Sequence, residues 1–119
     1  AELLRGCGLS PQTGLARTSV KAVLQGGAPG PCAAVIGELD GILCPAHPAA
    51  NPENGVAHAC GHNAQLTALV GAALALSAPG VAEALSGSVA FFAVPAEEYV
   101  PIGTRQALQK QGVELIVLL

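Results

Sequence analysis

Four of the eight acidic residues in this chain lie where two apolar segments end. Glu38 and Asp40 close one segment, and Glu97 and Glu98 directly follow the other. In α/β sheets, ligands bind at the carboxyl ends of strands, and a carboxylate held there is costly unless it meets a cation. The five lysine and arginine residues are too few and too dispersed to pair with all four carboxylates. We therefore expect a bound metal ion to be their partner.

A cysteine and a histidine two positions apart, Cys60 and His62, supply the other donor types that transition metals prefer. Residues i and i+2 of an extended segment point to the same side, so both can reach one metal ion or two adjacent ones. Thiolate and imidazole are good ligands for zinc and its neighbours. This short motif is a weak signal by itself. His58, just before it, is explained at least as well as a hydrogen-bonded structural histidine as by a ligand role.

The adjacent pair Glu97 and Glu98 has two interpretations. It can be the solvated start of a helix, favoured by the positive end of the helix dipole. Alternatively the two carboxylates have different roles: one binds the metal, and the other takes a proton from the water that the metal activates. The second interpretation gains weight because Asp40, Cys60 and His62 occur in the same chain.

An α/β fold must position these residues. Apolar patterns predict strands over Ser19–Gln25, Cys32–Leu39, Ser88–Val94 and Glu114–Leu119, and helices over Glu2–Arg5, Asn63–Ser77 and Thr104–Gln111. The first two strands are expected to form a hairpin about a turn at 26–31, and Asn63 is expected to cap its helix. Residues 40–55 are expected to form a long functional loop. This order of elements predicts an α/β/α sandwich with a mixed sheet.

Composition excludes several classes of protein. Apolar residues make up 51% of the 119 residues and charged residues 11%, which argues against disorder, and the scattered basic residues argue against nucleic-acid binding. The uncharged stretch 64–81 favours a buried helix over a membrane span. The four cysteines are irregularly spaced, so reduced thiols in a cytoplasmic protein are favoured over two disulfides.

Three motifs in order carry a family resemblance: Gly-Glu-Leu-Asp at 37–40, His-Ala-Cys-Gly-His-Asn at 58–63 and Pro-Ala-Glu-Glu at 95–98. Together they resemble the amidohydrolase branch of the aminoacylase/carboxypeptidase metallopeptidases, family M20. This branch includes hippurate, indole-acetyl-amino-acid and aminobenzoyl-glutamate hydrolases. Asn63 replaces the aspartate commonest in the branch and is similar to the aminobenzoyl-glutamate-like members.

The resemblance implies a role for each matching residue. Cys60, His62 and Glu98 would be metal ligands, Glu97 would be the general base, and Asp40 would orient the site from the end of its strand. It also implies a divalent metal cofactor, two ions in the complete site, of zinc or of manganese, cobalt or nickel.

Two motif positions receive no role from the resemblance. Glu38 stands where many relatives outside the branch have a ligand histidine, and we do not assign it as a ligand. His58 matches a recurrent position of the motif and is also left without a role.

The same resemblance implies a larger protein. The family's catalytic domain is interrupted by a lid domain, which often mediates dimerisation, and two further histidine ligands lie in parts of the domain that this sequence does not contain. We interpret residues 1–119 as the N-terminal part of a zinc-peptidase-like catalytic domain, with both ends as cuts. The full-length parent is expected to be a cytoplasmic homodimer without nucleic-acid or membrane partners.

The predicted function is metal-dependent hydrolysis of an amide bond in an N-acyl amino acid or dipeptide-like small molecule, through water activated by the metal. The alternative is a truncated, inactive fragment that binds metal weakly at most, because ligands without their partners leave poor geometry. A third reading, a redox thiol protein using Cys44 and Cys60, lacks the Cys-x-x-Cys spacing that would support it.

Overall fold

A five-stranded mixed sheet organises the chain, with strand order β1-β2-β6-β3-β7. The structure, a computed structural model, describes residues 1–15, 17–97 and 115–118. In chain order its elements are α1 (Glu2–Gly6), β1 (Gln12–Leu15), β2 (Ser19–Gln25), β3 (Ala28–Glu38), β4 (Ile42–Leu43), β5 (Val56–Ala57), α2 (His62–Leu76), α3 (Val81–Ala84), β6 (Ser86–Val94) and β7 (Leu115–Leu118). The strands β4 and β5 form a separate two-stranded sheet.

Strand directions confirm the predicted mixed sheet and α/β class. β1 pairs with β2 and β2 with β6 in antiparallel fashion, whereas β3 runs parallel to both β6 and β7. The central strand β6 has its four consecutive residues 90–93 buried. Such continuous burial explains why its sequence is an unbroken apolar run rather than an alternating one.

The predicted hairpin between β2 and β3 is wrong, because β6 lies between them. The segment at 26–31, expected to be a turn, instead packs against the start of β6, and β3 already begins at Ala28. The amide of Gly26 donates to the carbonyl oxygen of Gly87 at 2.8 Å, and that of Ala28 donates to Leu85 at 3.3 Å. A Cβ on Gly87 would come within 2.0 Å of the Pro31 carbonyl oxygen. The glycines of this segment therefore serve close backbone approach.

Helix α2 joins the parallel strands β3 and β6 and covers one face of the sheet. Its Leu69 and Ala73 are buried against Val20 of β2 and Phe91 of β6, together with Leu4 of α1. The opposite face of the sheet buries a second cluster, comprising Ala34, Ile36, Ala90 and Phe92. The core is thus built from small and aliphatic residues with two phenylalanines, as the composition indicates.

The helix prediction over Asn63–Ser77 is confirmed within one residue, but the predicted cap is wrong. α2 begins at His62, and its N-cap is Gly61, with φ of 95° and no side-chain hydrogen bond to the helix end. A left-handed backbone angle of this size is easily adopted by glycine. The consequence is that His62, rather than Asn63, occupies the first helical position.

Other expectations have mixed outcomes. The long loop at 40–55 contains the short strand β4, which pairs with β5, and the strand β1 was not predicted. The predicted helix Thr104–Gln111 lies outside the described residues. None of the four cysteines, all of which lie in the described part of the chain, forms a disulfide. Within the described part of the chain, no helix is both long and apolar enough to cross a membrane.

Candidate metal centre

The carboxyl ends of β3 and β6 lie side by side, as expected from the positions of the acidic residues. Glu38, the last residue of β3, is in register with Val94, the last residue of β6. The Leu39 amide extends this pairing by donating to the Val94 carbonyl oxygen at 2.8 Å. Two residues after Val94 the chain turns at Ala96, whose φ of 67° is unusual for a residue with a side chain. This turn leads directly to Glu97.

His62 is the centre of the site and is only 1% exposed. Its Nδ1 lies 2.7 Å from the backbone carbonyl oxygen of Asp40. Because a carbonyl oxygen only accepts hydrogen bonds, Nδ1 carries the hydrogen and donates it. Nε2 of the neutral ring is then left with its lone pair. Metal-binding histidines in proteins commonly have this arrangement, with one ring N–H held by a backbone carbonyl and the other nitrogen free to ligate.

Two carboxylates lie close to the Nε2 atom of His62. Oε2 of Glu38 is 3.0 Å from it and Oε2 of Glu97 is 3.9 Å from it. The Glu38 side chain is 13% exposed and that of Glu97 is 39% exposed. One ligand atom from each of the three residues lies within 4.8 Å of the others.

This donor set fits a divalent metal ion. A lone pair on Nε2 and two negative carboxylates repel one another at these distances unless a cation lies between them or the ring is protonated. One imidazole and two carboxylates are also suitable ligands for zinc, manganese and similar ions. The three side chains are therefore the residues, among those described, whose geometry can hold a metal.

Asp40 contributes to the site through its backbone as well as its side chain. Its carbonyl oxygen holds Nδ1 of His62, while its own carboxylate oxygen Oδ1 is 3.6 Å from the same nitrogen. The side chain is 12% exposed. The orienting role that the resemblance implies for the Asp40 side chain stays a prediction, and the 2.7 Å contact shows that its peptide group holds the His62 ring.

The other two ligands expected from the sequence are Cys60 and Glu98. Cys60 is exposed on the segment before α2, and its sulfur is not part of the three-residue cluster found among the described residues. Glu98 lies outside the described residues. The ligand roles of both residues therefore stay predictions.

His58 contacts the same strand end as His62. Its Nε2 lies 3.2 Å from the carbonyl oxygen of Leu39, and its ring centroid is 6.3 Å from that of His62. The two histidines of the motif thus contact the carbonyl groups of two consecutive residues, Leu39 and Asp40. This geometry supports the structural interpretation of His58.

Glu38 is the residue that sequence reasoning left out of the site. Its spacing from Asp40 was the available signal, because residues i and i+2 at the end of a strand share one face of the sheet. Its closeness to His62 depends on the docking of α2 against β3, a contact between residues 24 positions apart.

Comparisons with known proteins found a family profile and similar solved structures. The profile of peptidase family M20/M25/M40 matches residues 34–118, well over half of the chain. No curated protein matches. Among solved structures, the chain is similar to a protein from methicillin-resistant Staphylococcus aureus provisionally described as an aminohydrolase, with a TM-score of 0.78 and 24% identity over 98% of this chain and 32% of that one.

A second solved structure is the Bacillus subtilis YxeP protein, described as a dinuclear metal-binding peptidase of the M20 family. It has a TM-score of 0.79 and 27% identity over 98% of this chain and 34% of that one. The chain thus spans about a third of the length of these two structures. With the family profile covering the strand ends, the histidine motif and Glu97, the chain belongs to peptidase family M20/M25/M40, a family of hydrolytic metallopeptidases.

Proposed function

We propose that this chain carries part of the active site of a metal-dependent amidohydrolase that cleaves the amide bond of an N-acyl amino acid or a dipeptide-like substrate. The observation that carries the proposal is the orientation of His62. Its Nδ1 is held by the Asp40 carbonyl oxygen at 2.7 Å, so that Nε2 faces the carboxylates of Glu38 and Glu97.

His62 and Glu38 would hold one metal ion, with Glu97 beside them as the base, and Cys60 and Glu98 would complete a two-metal site by resemblance to the amidohydrolase branch. The description of YxeP as dinuclear supports the number of ions. When bound, such a metal polarises the amide carbonyl and lowers the pKa of water to near neutrality. The chain's own residues must then position the substrate and move protons.

Glu97 is the proposed proton carrier. Its side chain is 39% exposed, three times more than that of Glu38, while its Oε2 is still 3.9 Å from the His62 ring nitrogen. A carboxylate that is both near the metal ligands and open to solvent can take a proton from water and deliver it to the leaving amine. Glu38, more buried and closer to Nε2, is better placed to bind the metal than to carry protons.

The assignment is tested by Glu97→Gln in the full-length protein, with hydrolysis of N-acetyl and N-benzoyl amino acids and metal content as the two measurements. We expect metal content to be unchanged and kcat to fall by about 10² or more, the usual contribution of a general base. The matched control is Glu83→Gln on the exposed helix α3, for which neither quantity should change. Parental activity in Glu97→Gln would refute the base assignment, and loss of metal would make Glu97 a ligand instead.

The alternative is that the 119-residue chain by itself is an inactive fragment with weak metal binding at most. The observation that favours it is that the chain spans about a third of each solved structure it resembles. Metal titration of the 119-residue polypeptide beside the full-length protein separates the two. Equal affinity and turnover in both would refute the fragment interpretation. For the full-length protein we also propose a cytoplasmic homodimer.

A further inference from the structure

The loop between β4 and β5 contains an Asn-Gly pair, Asn54 and Gly55. In such a pair the backbone nitrogen of the glycine can attack the side-chain carbonyl carbon of the asparagine, because glycine has no Cβ to obstruct the approach. Asn54 is exposed and Gly55 is half-buried, so water reaches the reacting groups. The pair is therefore a candidate site of covalent modification that needs no group from elsewhere in the chain.

The other two asparagines of the chain lack this combination. Asn51 is followed by Pro52, which has no N–H to lose. Asn63 is followed by Ala64, whose Cβ obstructs the approach and whose amide donates to the Gly61 carbonyl oxygen at 2.9 Å. Asn51 and Asn63 therefore serve as internal controls for Asn54.

A hydrogen bond orients the side chain of Asn54 for this attack. Its Oδ1 accepts from the Val56 amide at 3.0 Å, a bond that spans Gly55 and keeps the carboxamide close to the Gly55 peptide group. Negative charge develops on Oδ1 as the nitrogen attacks, and the Val56 N–H group stabilises that charge. The loop thus holds a donor where the reaction needs one.

A second hydrogen bond opposes the reaction. The Gly55 amide donates to the Asn51 carbonyl oxygen at 2.8 Å, and the nitrogen must lose this hydrogen before it can attack. The Gly55 carbonyl oxygen is held as well, by the Cys44 amide at 2.9 Å. Because β4 and β5 are short and form a separate sheet, this loop can open without unfolding of the main sheet. The rate should therefore follow opening of the loop.

We propose that Asn54 is a site of spontaneous deamidation, and that the hydrogen bonds of its loop slow the reaction in the folded protein. The Gly55 nitrogen loses its proton to solvent hydroxide and forms a bond to Cγ of Asn54. The Cγ–Nδ2 bond breaks, and Nδ2 leaves as ammonia after taking a proton from water. Water then opens the five-membered succinimide at one of its two carbonyl carbons, which gives either an aspartate at position 54 or an isoaspartyl linkage.

The isoaspartyl product changes the segment that leads to the candidate metal centre. β5 connects this loop to the histidine motif, where Nε2 of His58 lies 3.2 Å from the Leu39 carbonyl oxygen. An isoaspartyl linkage adds one carbon to the main chain just before β5 and removes the side-chain acceptor of the Val56 amide. An ordinary aspartate keeps that acceptor. The isoaspartyl form should therefore loosen the pairing of β4 with β5, and the aspartate form should not.

The first test follows all three asparagines in the full-length protein. The folded protein is incubated in mildly alkaline buffer made with H₂¹⁸O, and peptides containing Asn51, Asn54 and Asn63 are analysed by tandem mass spectrometry. We expect labelled aspartate and isoaspartate at position 54 and unchanged amides at positions 51 and 63. Asn54→Gln, whose longer side chain cannot form the five-membered ring, should take up no label over the same period. An unchanged amide at position 54, or equal conversion at 51 or 63, would overturn the proposal.

The second test compares the folded protein with the same protein unfolded in urea. We expect conversion at position 54 to be at least about tenfold faster in urea, because the hydrogen bonds that hold the Gly55 peptide group are absent there. A short peptide with the sequence of residues 52–57, added to both solutions, controls for the effect of urea on the chemistry. Equal or faster conversion in the folded protein would overturn the slowing role of the loop.

Hydrogen exchange then tests the consequence for the loop. The isoaspartyl protein, separated by chromatography, is compared with the parent and with Asn54→Asp. The amides to follow are those of Cys44 and Asn51, which donate to the carbonyl oxygens of Gly55 and Val56. We expect both amides to exchange faster in the isoaspartyl protein and at the parental rate in Asn54→Asp. Equal exchange in all three proteins would refute the effect on the β4–β5 pairing.

Discussion

Replacing His62 by its two amide analogues separates the contributions of the two ring nitrogens. In His62→Asn the side-chain amide lies near the former Nδ1 and can still donate to the Asp40 carbonyl oxygen. In His62→Gln the amide extends towards the former Nε2, and the 2.7 Å bond to Asp40 is lost. Both variants remove the imidazole lone pair that faces Glu38 and Glu97.

The expected magnitudes follow from these contacts. A hydrogen bond of this type contributes a net stabilisation of about 0.5–1.5 kcal/mol. The metal-free His62→Gln protein should therefore have a free energy of unfolding about 1 kcal/mol below that of His62→Asn. Both variants should lose metal affinity by more than about 100-fold, because even the loss of a group that only orients a ligand costs 10–100-fold.

Urea denaturation in EDTA measures the first quantity, and competition with a fluorescent zinc chelator measures the second. His47→Gln, which removes a histidine of the β4–β5 loop, controls for the loss of an imidazole elsewhere and should leave metal affinity unchanged. The reasoning is refuted if His62→Asn binds metal as tightly as the parent, since Nε2 would then not be a ligand. Equal stability of the two His62 variants would refute the orienting role of the Asp40 carbonyl.

Two further predictions concern the site and the fold. Glu38→Gln should lower metal affinity by at least about tenfold, because it removes a charged ligand 3.0 Å from Nε2 of His62. Glu83→Gln is the control and should leave the affinity unchanged. Equal affinities of Glu38→Gln and the parent in the chelator assay would exclude Glu38 as a ligand. Gly87→Ala should lower the free energy of unfolding by about 3 kcal/mol or more, because its φ is +90° and the new Cβ would overlap the Pro31 carbonyl oxygen. Gly71→Ala, in open space on α2, should instead raise it by about 0.5–1 kcal/mol; urea midpoints in the opposite order would contradict this.

The sequence predicts the secondary structure well where a pattern is long and local. Ser19–Gln25 is a strand with the predicted bounds, and the predicted helix differs by one residue at each end. Strand pairing is harder to predict from the sequence, because it depends on which distant segment lies between two strands, as β6 does between β2 and β3. The glycines at 26–30 look like turn residues in the sequence, but their role is to let the backbone of β6 approach closely.

The candidate metal centre shows the same contrast between what local patterns predict and what contacts between distant segments decide. Residue type and position after apolar segments are enough to make Glu97 and Asp40 candidates, and His62 becomes one through its spacing from Cys60. Glu38 becomes a candidate ligand only through its distance from His62. Only the docking of α2 on β3 brings its carboxylate to 3.0 Å from Nε2 of His62.

By itself, the sequence determined the class of fold, the family and the chemical types gathered at the strand ends, since these follow from local patterns and motif order. The tertiary structure decided which strands are neighbours, which carbonyl oxygen holds Nδ1 of His62 and which carboxylates lie near its Nε2. These features are fixed by contacts between segments far apart in the chain. Their energies depend on distances of a few ångströms, which no local pattern of residues specifies.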